Sequence, residues 1–164
     1  MDIRKLKSGT DVRGVASPIL GRKVTLTCDA AELIARAFCT WLARRTGKDT
    51  LKIAVGNDSR ITAGELVAAF EKGAAESGAE VFYTGLSSTP SMFMILQDKG
   101  RAYDGSVMVT ASHLPADRNG LKFFTPEGGL EGGDVDEILE IAAKGVFTEG
   151  KGGVHGDYFM DEYS

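Results

Sequence analysis

Thr110-Ala111-Ser112-His113-Leu114-Pro115, with Asn119-Gly120-Leu121-Lys122 just beyond it, puts a hydroxyl, an imidazole and an amine into one short stretch of chain. Gly105-Ser106-Val107-Met108-Val109 upstream is apolar and β-branched enough for a buried strand, and Gly120-Leu121-Lys122-Phe123-Phe124-Thr125 downstream reads as another. A serine presented where a strand ends can accept a phosphoryl group, and basic neighbours balance the arriving charge. Ser112 is therefore the expected acceptor, with His113 and Lys122 as its basic neighbours. Upstream, Lys7-Ser8-Gly9-Thr10-Asp11-Val12-Arg13-Gly14 reads as a glycine-flanked loop.

Positioning these residues requires a layered fold. Short β segments are expected up to Val24-Thr25-Leu26. A helix is predicted over 29–46, because Leu33, Ile34, Ala37, Phe38, Trp41 and Leu42 share one face; Thr27 and Asp29 compete as its cap, and Gly47 closes it. Leu51 to Val55 reads as a strand ending at Gly56-Asn57-Asp58-Ser59-Arg60. Thr62-Ala63-Gly64-Glu65 has capping-box form ahead of a helix burying Leu66, Val67, Phe70 and Ala74. A strand over 79–84, a third helix from Ser88-Thr89-Pro90 to about Lys99, and a last helix capped around Asp134 complete the pattern. This alternation predicts a three-layer α/β/α domain with a mixed, mostly parallel sheet, the Ser112 pair of strands forming an antiparallel edge.

Composition narrows the class. The 164 residues are 43% hydrophobic and 26% charged, as expected of one soluble domain, and the formal net charge of −4 argues against a general nucleic-acid binder. No apolar run approaches a bilayer span and the N-terminus lacks a signal-peptide core, so a cytoplasmic protein with no membrane partner is expected. On one helix Cys28 and Cys39 would lie about 16 Å apart, too far for a disulfide, and are expected as free thiols. From Gly145 the pattern weakens into a glycine-rich stretch, read as a linker (146–164) leading into the next domain, with His155 a bystander. Domain one is placed at 1–145, and the chain is read as a fragment cut just beyond it.

Four segments together resemble the N-terminal domain of the α-D-phosphohexomutases, the phosphoglucomutase/phosphomannomutase superfamily. Ser8 to Gly14 resembles the family's Gly-Thr-x-x-x-Arg-Gly loop, Gly56 to Arg60 its Gly-x-Asp-x-Arg turn, Thr110 to Pro115 its Thr-Ala-Ser-His-Asn-Pro loop, and Asn119 to Lys122 its Asn-Gly-x-Lys. The resemblance implies a phosphoserine at Ser112 that exchanges its phosphoryl group with a hexose phosphate through a bisphosphorylated sugar. It further implies Ser112, His113, Lys122 and Arg13 as catalytic residues, with Thr10, Arg13, Ser112, His113, Asn119 and Lys122 contacting phosphate or substrate. Mg²⁺ would be held through the phosphate on Ser112 and by Asp ligands from a later domain, and hexose 1,6-bisphosphate would be the activator. Leu114 departs from the family's Asn, and Asn57 from a residue often basic. The remaining domains are expected partners, and the fragment alone is expected to lack full mutase activity.

Plainer readings compete. Asp58 and Arg60 are read as a structural ion pair and turn ahead of a direct phosphate contact, and Arg118 as solvent-facing ahead of a ligand contact. The Gly128-Gly129 and Gly132-Gly133 pairs lack the spacing of a phosphate cradle. A stand-alone phosphosugar-binding or regulatory module without catalysis is the alternative. An independent phosphatase or acyl-transfer enzyme is weaker, since no acidic residue nearby is placed to orient His113.

Overall fold

The computed structural model describes residues 2–110 and 113–159. Their strands form one sheet in the order β1-β2-β6-β5-β3-β4-β8, with β7 pairing β6. In chain order these are β1 (Lys7–Ser8), β2 (Asp11–Val15), β3 (Lys52–Asn57), β4 (Glu80–Leu86), β5 (Gly105–Val109), β6 (Arg118–Thr125), β7 (Gly128–Gly129) and β8 (Val154–Gly156). The helices are α1 (Cys28–Thr46), α2 (Ala63–Glu76), α3 (Thr89–Met94) and α4 (Gly132–Lys144). β3 runs parallel to β4 and β5, and β4 parallel to β8, while β1, β2, β6 and β7 are joined antiparallel. The β5–β6 pair is antiparallel and lies mid-sheet, where the two halves meet, rather than at the expected edge.

One face carries α1, α2 and α4 over a core that includes Ile34, Phe38, Leu42, Ile53, Phe70, Leu121, Phe123 and Ile138. Phe38 and Phe123 meet at 4.7 Å between ring centroids, tying α1 to β6. α1 and α2 pack closely because Gly73 leaves no side chain: a Cβ there would lie 2.2 Å from the Glu32 carbonyl oxygen. Leu33, expected on the buried face of α1, is instead 39% exposed. Thr27 wins the capping competition, its hydroxyl accepting from the Ala30 N–H.

The opposite face is covered by α3 and a 3-10 turn over Ile95–Gln97, which bury Met92, Ile95 and Leu96 against Ala54, Met108 and Phe124, with Tyr103 and Phe159 in the same cluster. The expected third helix is thus broken after Met94. Beyond this layer the same face of β2 and β6 carries Asp11, Arg13, Arg118 and Lys122.

Further expectations are corrected. The glycine-flanked stretch 8–14 is a hairpin, β1 turning at Gly9-Thr10 into β2, and the β segments expected up to Leu26 are replaced by a 3-10 turn at Pro18–Leu20. Thr62 does not cap α2 through its hydroxyl, which is taken up by Asn119. The expected linker joins the fold: Thr148 bonds Thr40, and β8 extends the sheet alongside β4. His155 within it is no bystander, since its Nε2 lies 2.7 Å from Glu80 and its ring stacks on Phe82.

Candidate functional site

From β3 the chain passes through α2 to β4 on one side, then returns over the other face through α3 to β5 on the opposite side of β3. Such a reversal leaves a crevice at the carboxyl ends of the two central strands, the usual ligand position in open α/β sheets. The turn 56–60 leaves β3 there, and the serine loop leaves β5. Ser112 and Ala111 themselves lie outside the described residues, so the site is built from what surrounds them.

Both sides of that loop are held by the β3–α2 turn. Asp58 Oδ2 accepts from the Thr110 hydroxyl at 2.7 Å, and the Asp58 N–H donates to the Val109 carbonyl. On the far side the Arg60 guanidinium donates to the Leu114 and Pro115 carbonyls at 2.6 and 2.7 Å. The expected Asp58–Arg60 link is made through the Arg60 backbone N–H, 3.1 Å from Asp58 Oδ1. Leu114 therefore joins the brace through its backbone, where a side-chain amide is not needed. Asn57, the other departure, accepts from the Tyr83 hydroxyl at 2.6 Å.

The strands below the loop supply charge. Val12 stands opposite Leu121 and Arg13 opposite Gly120. Alternation then puts Asp11 and Arg13 of β2 on one face with Gly120 and Lys122 of β6. Asp11, 7% exposed, sits between two cations: its Oδ1 takes Lys122 Nζ and its Oδ2 takes an Arg13 nitrogen, each at 3.0 Å. Gly120 makes this approach possible, since a Cβ there would lie 2.6 Å from the Val12 carbonyl and 3.0 Å from both Arg13 Cγ and the Thr110 carbonyl. The Gly120 carbonyl also receives the Thr110 N–H, fastening the start of the loop to β6.

The structure brings Arg13 and Lys122 together on this face. His113 is exposed on the loop beside it. Thr10 lies apart, exposed in the hairpin turn at the far end of β2 from Val15. Asn119, expected to contact phosphate, is fully buried: its amide donates to the Thr62 hydroxyl and accepts from the Gly120 N–H, both at 2.9 Å. It is a brace between β6 and the start of α2, with both ends of its amide engaged. Asp11 was missed by reading 8–14 as a loop; as a strand, its i, i+2 spacing to Arg13 would have paired the two.

Further along the loop, fully buried Asp117 is gripped twice by Arg22, with Nε at 2.7 Å, which holds its carboxyl below the usual range. Among the described residues no three His, Cys, Asp or Glu groups are placed to hold a metal ion. Asp11, the nearest carboxylate on the cationic face, is engaged on both oxygens. A Mg²⁺ ion thus has no carboxylate shell among the described residues. Both cysteines are free thiols, and burial pushes Cys39 up to about 12. No described helix is long and apolar enough to cross a membrane.

Residues 4–149 match the family model described as phosphoglucomutase/phosphomannomutase, alpha/beta/alpha domain I. A phosphoglucomutase from Neisseria meningitidis serogroup A is 35% identical over 146 residues, 88% of this chain and 29% of that protein. A phosphoglucosamine mutase from Caldicellulosiruptor saccharolyticus is 35% identical over 133 residues, 80% of this chain and 27% of that protein. The chain therefore spans under a third of these relatives. A phosphoglucomutase/phosphomannomutase family structure from Burkholderia thailandensis superposes with a TM-score of 0.83 at 27% identity, covering 99% of this chain and 35% of that one.

Proposed function

The chain belongs to the phosphoglucomutase/phosphomannomutase family and carries its α/β/α domain I, and from this premise we propose that it is the phosphoserine domain of a cytoplasmic phosphohexomutase. The observation that carries the reading is the loop around Ser112, clamped on both sides by Asp58 and Arg60 above a face bearing Arg13 and Lys122.

In this reading a hydroxyl oxygen of the hexose phosphate attacks the phosphorus on Ser112. The new O–P bond forms as the serine O–P bond breaks; exposed His113 is the proposed acceptor of the hydroxyl proton, and the freed serine oxygen takes up a proton to become the hydroxyl again. Return of the sugar's other phosphate to Ser112 completes the exchange between C1 and C6. Phosphoryl transfer depends mainly on positioning and positive charge around a loose transition state. Lys122 and Arg13 supply that charge, and Asp11 holds both in place. Thr10 remains a proposed phosphate contact only through the family motif. Mg²⁺ would take an oxygen of the phosphate on Ser112, its carboxylates coming from outside the described residues, and a hexose 1,6-bisphosphate would charge the serine. The catalytic-serine domain takes in β8 as well as residues 1–145, and domains such as the longer relatives have room for would complete the cycle, so that the chain alone lacks full mutase turnover.

Intact-mass and phosphosite mapping after incubation with glucose 1,6-bisphosphate and Mg²⁺ tests this. One phosphoryl group at Ser112, absent in a folded Ser112→Ala variant, is expected. Phosphorylation nowhere, in both this chain and the full-length protein, refutes catalysis and leaves a binding module.

A further inference from the structure

Arg118 opens β6 as the chain returns from the serine loop, and its N–H closes that loop on the Pro115 carbonyl at 3.0 Å. It stands opposite Val15, two residues along β6 from Gly120 and four from Lys122. The alternation that sets Arg13 and Lys122 on one face sets Arg118 there too, nearest the carboxyl-end rim where the serine loop lies. The sequence reading preferred a solvent-facing role to a ligand contact for it, and it is half-buried. Its Nε is shut away from solvent, with no hydrogen-bond partner among the described residues.

The contrast with its neighbours is informative. Arg13 and Lys122 share the Asp11 carboxylate, whereas no carboxylate among the described residues pairs with Arg118. A buried, unmet guanidinium donor is costly to keep, and a guanidinium is suited to a phosphate's oxygens. Gly120, between Arg118 and Lys122 on the strand, offers no side chain to separate the cations, and Arg13 crosses the space it leaves.

We infer that Arg118 is a further phosphate-binding residue of this site, its guanidinium donating to a phosphate monoester beside the serine loop. This rests on the phosphoserine-domain reading above. The ligand is either the phosphate carried by Ser112 or that of the incoming hexose phosphate, which share the same chemistry. Arg118 completes a row of three cations, with Arg13 and Lys122, whose charge exceeds that of Asp11.

The test follows the Arg118 Nε–H signal in nitrogen-15 NMR spectra of the chain, assigned by its loss in Arg118→Lys. The signal is expected to shift on titration with glucose 1-phosphate if the sugar phosphate is the ligand, or on phosphorylation of Ser112 alone if the phosphoserine is. Arg118→Gln should weaken the corresponding binding or phosphoserine retention by about tenfold, the scale of one charge-assisted hydrogen bond, with partial recovery in Arg118→Lys. An Arg118 signal unmoved in both arms overturns the inference. So does binding lost in Lys122→Ala but unchanged in Arg118→Gln, and either result leaves the phosphosugar reading intact. Failure of both the wild-type chain and the full-length protein to bind glucose 1-phosphate or accept a phosphoryl group overturns both.

Discussion

Asn119→Ala separates a brace from a ligand. The Asn119 amide is fully buried, donates to the Thr62 hydroxyl and accepts from the Gly120 N–H. Truncation removes both hydrogen bonds and leaves the Thr62 hydroxyl, itself only 6% exposed, without that donor. Each such bond is worth about 1 kcal/mol net, and stranding a buried polar partner and opening a small cavity add to the loss, so about 2–4 kcal/mol is expected. For a domain of this size that lowers the melting temperature by roughly 5–12 °C. Thermal and urea unfolding, followed by circular dichroism, measure it. Glucose 1-phosphate binding, measured well below the variant's midpoint, should change less than about threefold, a modest effect by the arithmetic of affinity. A variant that keeps wild-type stability yet loses phosphate affinity tenfold would falsify the brace and restore Asn119 as a direct contact.

Gly120→Ala should cost about 1–3 kcal/mol, because the added methyl overlaps the Val12 and Thr110 carbonyls and Arg13 must move. Phosphorylation of Ser112 should slow with it, and an alanine variant with unchanged stability and rate would show that the β2–β6 approach is not as tight as described. The Asp117 carboxyl, held below its usual range by Arg22, contributes stability that is present above about pH 4, the unfolded carboxyl's range, and is lost as pH falls through the lower folded value. Arg22→Ala should accordingly be destabilised at neutral pH, with its deficit shrinking toward pH 2. A deficit constant across an acid titration of unfolding would remove the linkage.

Sequence by itself determined α1, α2, α4, the strands β3 to β6 and the fold class. Amphipathic spacing over α1 and α2, and apolar runs at β3 to β5, need only local periodicity, because the chain must bury those faces in any layered fold. It also placed Ser112, His113 and Lys122 in one segment, since residues linked by so short a loop stay close whatever the rest does. Tertiary structure alone decided what surrounds them. Arg13 meets Lys122 because β2 pairs with β6, more than a hundred residues away, and the same pairing turns an apparent loop into a strand and brings Asp11 between the two cations. Long-range pairing also moved the β5–β6 unit from the edge to the middle of the sheet, and drew β8 with His155 onto β4. Asn119 and Arg118 show the limit most plainly. They are adjacent polar residues on one strand, yet the pleat sends one into the interior against Thr62 and leaves the other facing the site. That choice of face is set by the register with β2 and β5, and composition and spacing along a single strand do not contain it.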